Sequence, residues 1–498
     1  MKRIFTVFPV LFMIFTPIFS QSLVWHEGII QTNIDVRGNP VIMGQIAINA
    51  PSAGKVVVRF DGSCTASIGD RIILAASDHP DWSVNDGNLG VEAINDDLNR
   101  APFSHTRVYD VNAGDHTFYA IAENFVETNG TGIASVYGSL TVAFFPNNSS
   151  ILVEHQGIIQ TNINVEGGPV AVGQVSLNIP TSGKVMVRFD GNCISDPGDR
   201  IILAASNTVG WVPNDGAVGV EAIDASLRRN AFSHTRVYDV TAGNQTFYAI
   251  AQNYVETDGN GMASIYGSLT VEFVPNSATE ILQHEGIVQT NINVRGNPVT
   301  VSEVTINAPV AGTVVVNFDG SCIASAGDRI VLGASNTGDW GVNDGNVGVE
   351  VLDNDINAKS FSHSRAYEVS AGTHTFYAVA ENYVETEGDG EASLYASLTA
   401  RFSPNMITAT NQPEAAVAAP IFYPNPTNGV VHLSGDKIPN ARIIRVLDAS
   451  GRVLQTMPTV AQEDRVTNLS GYQNGTYYFE LLDEQWKVIA TKKVVKTR

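Results

Sequence analysis

Three histidines, His105, His234 and His363, stand in one repeated setting, Phe-Ser-His-Thr/Ser-Arg, and each shares its stretch of chain with one cysteine, Cys64, Cys193 or Cys322. A histidine beside a serine, or within reach of a cysteine, is the raw material of a general base and its nucleophile. No nucleophile-elbow glycine pattern surrounds these serines, and the residue order fits no nucleophile motif. The expectation is therefore a strand histidine at a sheet surface or edge, and a small, partly buried thiol at the end of a strand. Three cysteines, one per copy, cannot pair within a copy. Zinc would need a Cys/His cluster at short spacing, and the chain has none. In Gly69-Asp70-Arg71 and its counterparts Gly198-Asp199-Arg200 and Gly327-Asp328-Arg329, a turn-capping aspartate and a structural arginine suffice.

A second constellation invites a ligand. Trp82, Asn85 and Asp86 recur as Trp211, Asn214 and Asp215 and as Trp340, Asn343 and Asp344, each set a tryptophan followed by an Asn-Asp-Gly turn. Carboxylate and amide oxygens centred on Asp86, Asp215 and Asp344 make calcium the candidate ion, although the order is not the twelve-residue helix-loop-helix pattern. The same residues suit a sugar, with the indole stacked on the ring and Asn and Asp bonded to its hydroxyls. A plain hairpin turn with a core tryptophan is the third reading. No cofactor is required by any other feature. A glycosidase would need two carboxylates at a fixed separation; Glu92 recurs, but Asp96 becomes Ala225 and Asn354, so no enzyme is expected.

The elements that must position these groups come in triplicate. Phe103, Phe232 and Phe361 are 129 residues apart, and so are the cysteines. That period is a whole small domain, far longer than a solenoid unit. Within each copy apolar residues alternate, as Val56, Val58 and Phe60 do with Val57, Arg59 and Asp61, and Gly-, Asn- and Asp-rich turns separate about eight such runs. The fold class predicted is all-β: three tandem, jelly-roll-like β-sandwich repeats at 21–147, 148–276 and 277–405, a linker at 406–420, and a small C-terminal β-sandwich at 421–498. Met1-Lys2-Arg3 and the apolar run to Phe19 read as a signal peptide over 1–20. No other stretch approaches the length needed to cross a bilayer, so no transmembrane anchor is expected after cleavage.

The chain carries a net charge of −21, and the repeats concentrate it, with 17 Lys/Arg against 42 Asp/Glu. Such a surface repels phosphate backbones and excludes nucleic acid as a partner.

Pro51-Ser52-Ala53-Gly54-Lys55, the turn Val111-Asn112-Ala113-Gly114 and the closing run Tyr137-Gly138-Ser139-Leu140 resemble the trimeric complement-head and tumour-necrosis-factor-like jelly rolls. That resemblance implies protomers meeting around an axis; the short connections admit either such a built-in pseudo-threefold trimer or an extended array of beads. The last 80 or so residues carry Tyr423-Pro424-Asn425-Pro426, an Asp-Ala-Ser-Gly turn ending at Gly451, a Gly475-Thr-Tyr-Tyr strand start and a basic end through Lys496. These motifs closely resemble the C-terminal sorting domain of the bacterial type IX secretion system. The resemblance implies recognition by that machinery, passage through the periplasm, and delivery outside the cell or to its outer surface. The function expected is a secreted or surface-attached, non-enzymatic binding or adhesion protein whose partner is a surface polysaccharide or extracellular glycan. A structural surface or matrix component without a discrete ligand, or an accessory module of a carbohydrate-active system, is the alternative.

Overall fold

A computed structural model describes residues 22–81, 89–92, 100–125, 130–210, 217–222, 228–254, 259–339, 347–351, 357–383 and 388–405 of the repeats. It also describes 421–423, 427–434, 443–448, 452–458, 465–482 and 488–497 of the tail. The predicted signal peptide and the linker lie outside these residues.

Among the described residues the chain is all-β. The first repeat holds β1 (Leu23–Asp35), β2 (Val41–Ala50), β3 (Gly54–Thr65), β4 (Arg71–Ser77), β5 (Leu89–Glu92), β6 (Arg100–Val111), β7 (Gly114–Asn124) and β8 (Ile133–Pro146). They form two four-stranded sheets, β1-β8-β3-β6 and β2-β7-β4-β5, with antiparallel pairing between neighbouring strands. The second repeat repeats this order from β9 (Leu152–Asn164) to β16 (Met262–Pro275), and the third from β17 (Ile281–Asn293) to β24 (Glu391–Pro404).

Period-two alternation explains the sandwich. Val56, Val58, Phe60 and Cys64 point from β3 into the space between the sheets, where Leu74, Phe118, Leu140 and Phe144 meet them. Phe60 and Phe103 pack edge to face with ring centroids 4.7 Å apart. Burying one phenylalanine stabilises by about 1.5–3 kcal/mol, and among the described residues of the three repeats twelve are buried completely. A disulfide is not needed on that scale, and the three cysteines remain thiols inside the cores.

Gly62 stands at a close backbone-to-backbone approach in a conformation that favours glycine. Its φ is +148°, and a Cβ there would lie 2.2 Å from the Tyr137 carbonyl oxygen. Gly62→Ala should therefore destabilise the first repeat by about 2–4 kcal/mol. A Cβ on Gly138, across the same contact, would lie 2.1 Å from the Asp61 carbonyl oxygen, but Gly138 has no positive φ and the third repeat accommodates Ala396 in its place, opposite Gly320. Gly138→Ala should therefore cost much less, and equal losses in urea unfolding would refute the explanation.

Opposite the core-facing residues of β3, the side chains Val57, Arg59, Asp61 and Ser63 are also buried. A solvent-facing sheet would leave them wet. Instead the three sandwiches form one compact unit, and the faces carrying these side chains pack against neighbouring repeats. Val57 and Phe145 of the first repeat cluster with Ile151 and Val153 of the second; Met186 and Val274 of the second cluster with Leu282 of the third. The extended array is thereby excluded, and the pseudo-threefold arrangement is the one present.

The tail is a separate unit. Seven strands among its described residues make a three-stranded sheet of β25 (Ile421–Tyr423), β26 (Val430–Ser434) and β29 (Arg465–Asn468), and a four-stranded sheet. The latter holds β27 (Ile443–Asp448), β28 (Val453–Pro458), β30 (Gly475–Leu482) and β31 (Val488–Lys496).

Candidate functional site

The three copies close a ring through one repeated contact. The carboxylate of Asp61 accepts from Ser362 (3.2 Å) and Ser364 of the third repeat. Asp190 accepts from Ser104 (3.1 Å) and Thr106 of the first. Asp319 accepts from Ser233 (2.9 Å) and Thr235 (2.6 Å) of the second. Each carboxylate also takes a hydroxyl from its own repeat, Ser139, Ser268 or Ser397. Burial drives Asp190 upward from the usual carboxylate range, whereas at Asp319 the same burial is outweighed by Arg59, Arg188 and the Thr235 and Ser233 hydroxyls, which hold it below. The ring is not charge-symmetric: Arg59 and Arg188 correspond to Asn317, which accepts from Arg59. A third guanidinium in that buried space would add like-charge repulsion.

Above this ring the structure opens an axial vestibule. It is floored by Pro102, Ala231 and Ser360, one from each repeat, and encloses about 60 Å³ beneath an open mouth. Arg100, Arg229 and Lys359 bring one cation from each repeat to its wall. Arg100 stacks on Tyr137 (4.7 Å) and Arg229 on Tyr266 (5.7 Å). Each arginine lies over a glycine of the repeat that precedes its own around the ring: a Cβ on Gly348 would meet Arg100 Cδ at 2.9 Å, and one on Gly90 would meet Arg229 Cδ at 2.6 Å. At the third corner the arginine is replaced by Ala358, whose Cβ leaves ordinary spacing of 3.8 Å above Gly219. Glu92 and Glu350 complete the wall, ion-paired to Arg71 and Arg329.

The sequence-predicted groups fare differently. Trp82, Asn85, Asp86, Trp211, Asn214, Asp215, Trp340, Asn343 and Asp344 all lie outside the described residues, and so do the carboxylates nominated for calcium. Among the described residues no cluster of three metal-ligating side chains occurs. His105, His234 and His363 do lie on edge strands of their sheets, but their side chains are buried between the sheets, where each Nδ1 accepts from the backbone N–H of Ala76, Ala205 or Ala334 at 2.8 Å. Accepting at Nδ1 places the proton of the neutral ring on Nε2. Cys64 is wholly buried, and burial pushes its thiol up to about 12; Cys193 and Cys322 are raised by the same cause. Asp70 does cap its loop, accepting from Asn124 (2.7 Å) and the Gly132 N–H (2.8 Å). Arg100, Arg229 and Lys359 were not anticipated; the available signal was a recurrent arginine that the third copy drops for alanine.

In the tail, Tyr423 ends β25 and Gly475 opens β30, while Pro424, Asn425, Pro426 and Gly451 lie outside the described residues. Thr427 ties the start of the domain to its end: its N–H donates to Val495 (2.9 Å), and the Thr497 N–H donates back to its carbonyl (2.8 Å). Lys496 is not a free basic end; it is buried and donates to the Tyr472 carbonyl. Residues 421–497 match the secretion system C-terminal sorting domain. The sorting domain covers the tail alone, and a chain bearing it is exported to the cell surface or the extracellular space through the type IX machinery.

No curated protein matches the chain. Among solved structures, Sulfolobus turreted icosahedral virus is similar over 77% of this chain and 91% of its own, at 8% identity and a TM-score of 0.17. PNGase F, a glycosylasparaginase from Flavobacterium meningosepticum, aligns over 51% of this chain and 97% of its own, with 9% identity and a TM-score of 0.25. Dimeric latent PorU from Porphyromonas gingivalis aligns over 73% and 32%, with 10% identity and a TM-score of 0.18. Likenesses this loose carry no argument about activity. No helix among the described residues is long and apolar enough to cross a membrane.

Proposed function

We propose that the chain is a non-enzymatic binding or adhesion protein, delivered outside the cell by its sorting domain, whose three repeats act as one rigid head. The observation that carries this reading is the axial vestibule, to which all three repeats contribute side chains. The strand order of each repeat supports a jelly-roll reading. The histidines and cysteines that suggested a nucleophile are engaged inside the cores, which supports a role without covalent chemistry. The head offers one composite site on the axis, so triplication serves to build that site; linked copies of a site would raise avidity instead.

Glycan-array binding of the purified chain, residues 21–498, tests the proposal. Saturable binding to a defined glycan class is expected, whereas a blank array and no retention on cell surfaces would leave a structural component. Calcium at Asp86, Asp215 and Asp344 is a separate proposal. A bound ion raises the unfolding temperature by linkage, so an upward shift with calcium that chelator reverses is expected, and an unmoved transition would remove it.

A further inference from the structure

We infer that the axial vestibule is a site for a sugar acid, the carboxylate held by Arg100, Arg229 and Lys359 and the hydroxyls by Glu92 and Glu350; this deepens the binding reading and rests on it. The charge of the wall sets the first half of the argument. On a head whose repeats are strongly acidic, three cations from three repeats converge on one recess. The two glutamates there are already matched by Arg71 and Arg329, so among the described residues Arg100 and Arg229 leave the wall with an excess of positive charge. Arg100 and Arg229 form no carboxylate ion pair within 4.0 Å among the described residues, and stack on tyrosines instead. Burial pushes both guanidinium groups down, and Arg71 adds to the effect at Arg229. An arriving carboxylate offsets that desolvation and accepts charge-assisted bonds, stronger than neutral ones.

The glutamates provide the second, independent half. Glu92 and Glu350 are nine-tenths buried; the Glu350 carboxylate takes the Arg100 backbone N–H beside its ion pair, but Oε2 of Glu92 has no hydrogen-bond partner among the described residues. An unmet buried acceptor costs about 1–3 kcal/mol, and a bare inorganic anion could not meet it. A ligand that brings an oxyanion and hydroxyl donors together satisfies both sets, and sugar acids carry that combination. Size agrees: the enclosed volume accepts the acidic end of one residue, and the open mouth lets the remaining glycan continue into solvent. Ala358 keeps the third corner clear; an arginine there, as in the other two copies, would lie across Gly219.

The test is ligand-observed NMR and calorimetry on the purified chain, residues 21–498, with methyl glucuronoside, methyl glucoside and sodium sulfate as probes. Methyl glucuronoside should bind saturably and at least about tenfold more tightly than either of the others, a difference of about 1.4 kcal/mol. The pair Arg100→Gln and Arg229→Gln should abolish binding. Ala358→Leu, which fills the corner without changing charge, should weaken it at least about tenfold while unfolding at the parent temperature. Equal binding of sulfate would reduce the site to an oxyanion hole and overturn the sugar acid. Equal binding of the glucoside would overturn the role of the cations. Array hits that survive all three substitutions would leave the protein a binder and move its site elsewhere, whereas a blank array and silent glucuronoside would remove both readings.

Discussion

Arg401→Ala is expected to destabilise the three-repeat head by about 3–5 kcal/mol, the usual cost of breaking a buried ion pair from one side. Arg401 of the third repeat pairs with Glu272 of the second at 3.2 Å, and both side chains are about 95% buried. Its guanidinium stacks 4.4 Å above Phe145 of the first repeat and donates to Ser22 at 3.3 Å. One side chain therefore joins all three repeats. Its removal strands the Glu272 carboxylate in a place water cannot reach, and the penalty comes chiefly from that stranded charge. The double variant Arg401→Met with Glu272→Met removes both charges and should recover most of the loss. Urea unfolding of the parent and both variants decides the matter; a single variant with an unmoved midpoint would show that this contact does not hold the head closed.

Acid should weaken the same interfaces. His26, His155 and His284 each bond a threonine of their own repeat at 3.0–3.1 Å. Each also faces the arginine of another repeat: Arg365 for His26, Arg107 for His155 and Arg236 for His284. Burial first, and those arginines second, lower all three rings to about 4, with Lys55 and Lys184 adding to the effect and Asp61 and Asp319 opposing it. A folded-state value below the unfolded value of about 6.5 favours the neutral ring. The contribution is therefore whole above pH 6.5 and is lost as pH falls toward 4. The shift bounds the loss at about 3 kcal/mol per ring; partial exposure and screening bring it to about 1–2 each, on the order of 5 kcal/mol for the three. Stability measured from pH 7.5 to 4 should fall steeply. The triple His→Asn variant should flatten that limb, and an unchanged limb would transfer the acid response to other groups.

The vestibule shows where reading the sequence stops. Threefold recurrence drew attention to residues that repeat faithfully, and His105 with its counterparts proved to be internal bridges between sheets, copied because every sandwich needs the same contact. The site instead gathers positions where the copies diverge: Arg100 and Arg229 against Ala358, and Ala101 and Asn230 against Lys359. Divergence at equivalent positions matters only once those positions face one another across an axis, and local pattern carries no information about that.

The chain by itself determined the repeat length, the all-β class, the inward residues of each strand and the nature of the tail. Those depend on period-two alternation, turn chemistry and short motifs, which are local properties. Tertiary structure alone decided what the opposite face of β3 meets. Arg59 and Asp61 alternate with core residues as any solvent-facing pair would, and burying them is tolerable because they pair with each other at 3.1 Å while Asn317, Ser362 and Ser364 arrive from a repeat some 250–300 residues away to complete their hydrogen bonds. Likewise Ala143, Glu272 and Arg401 are three unrelated substitutions at one repeat position until the ring closes, when they become an alanine beside a buried ion pair. The desolvation cost of a charge depends on what surrounds it in space, and for this head the surroundings come from another copy.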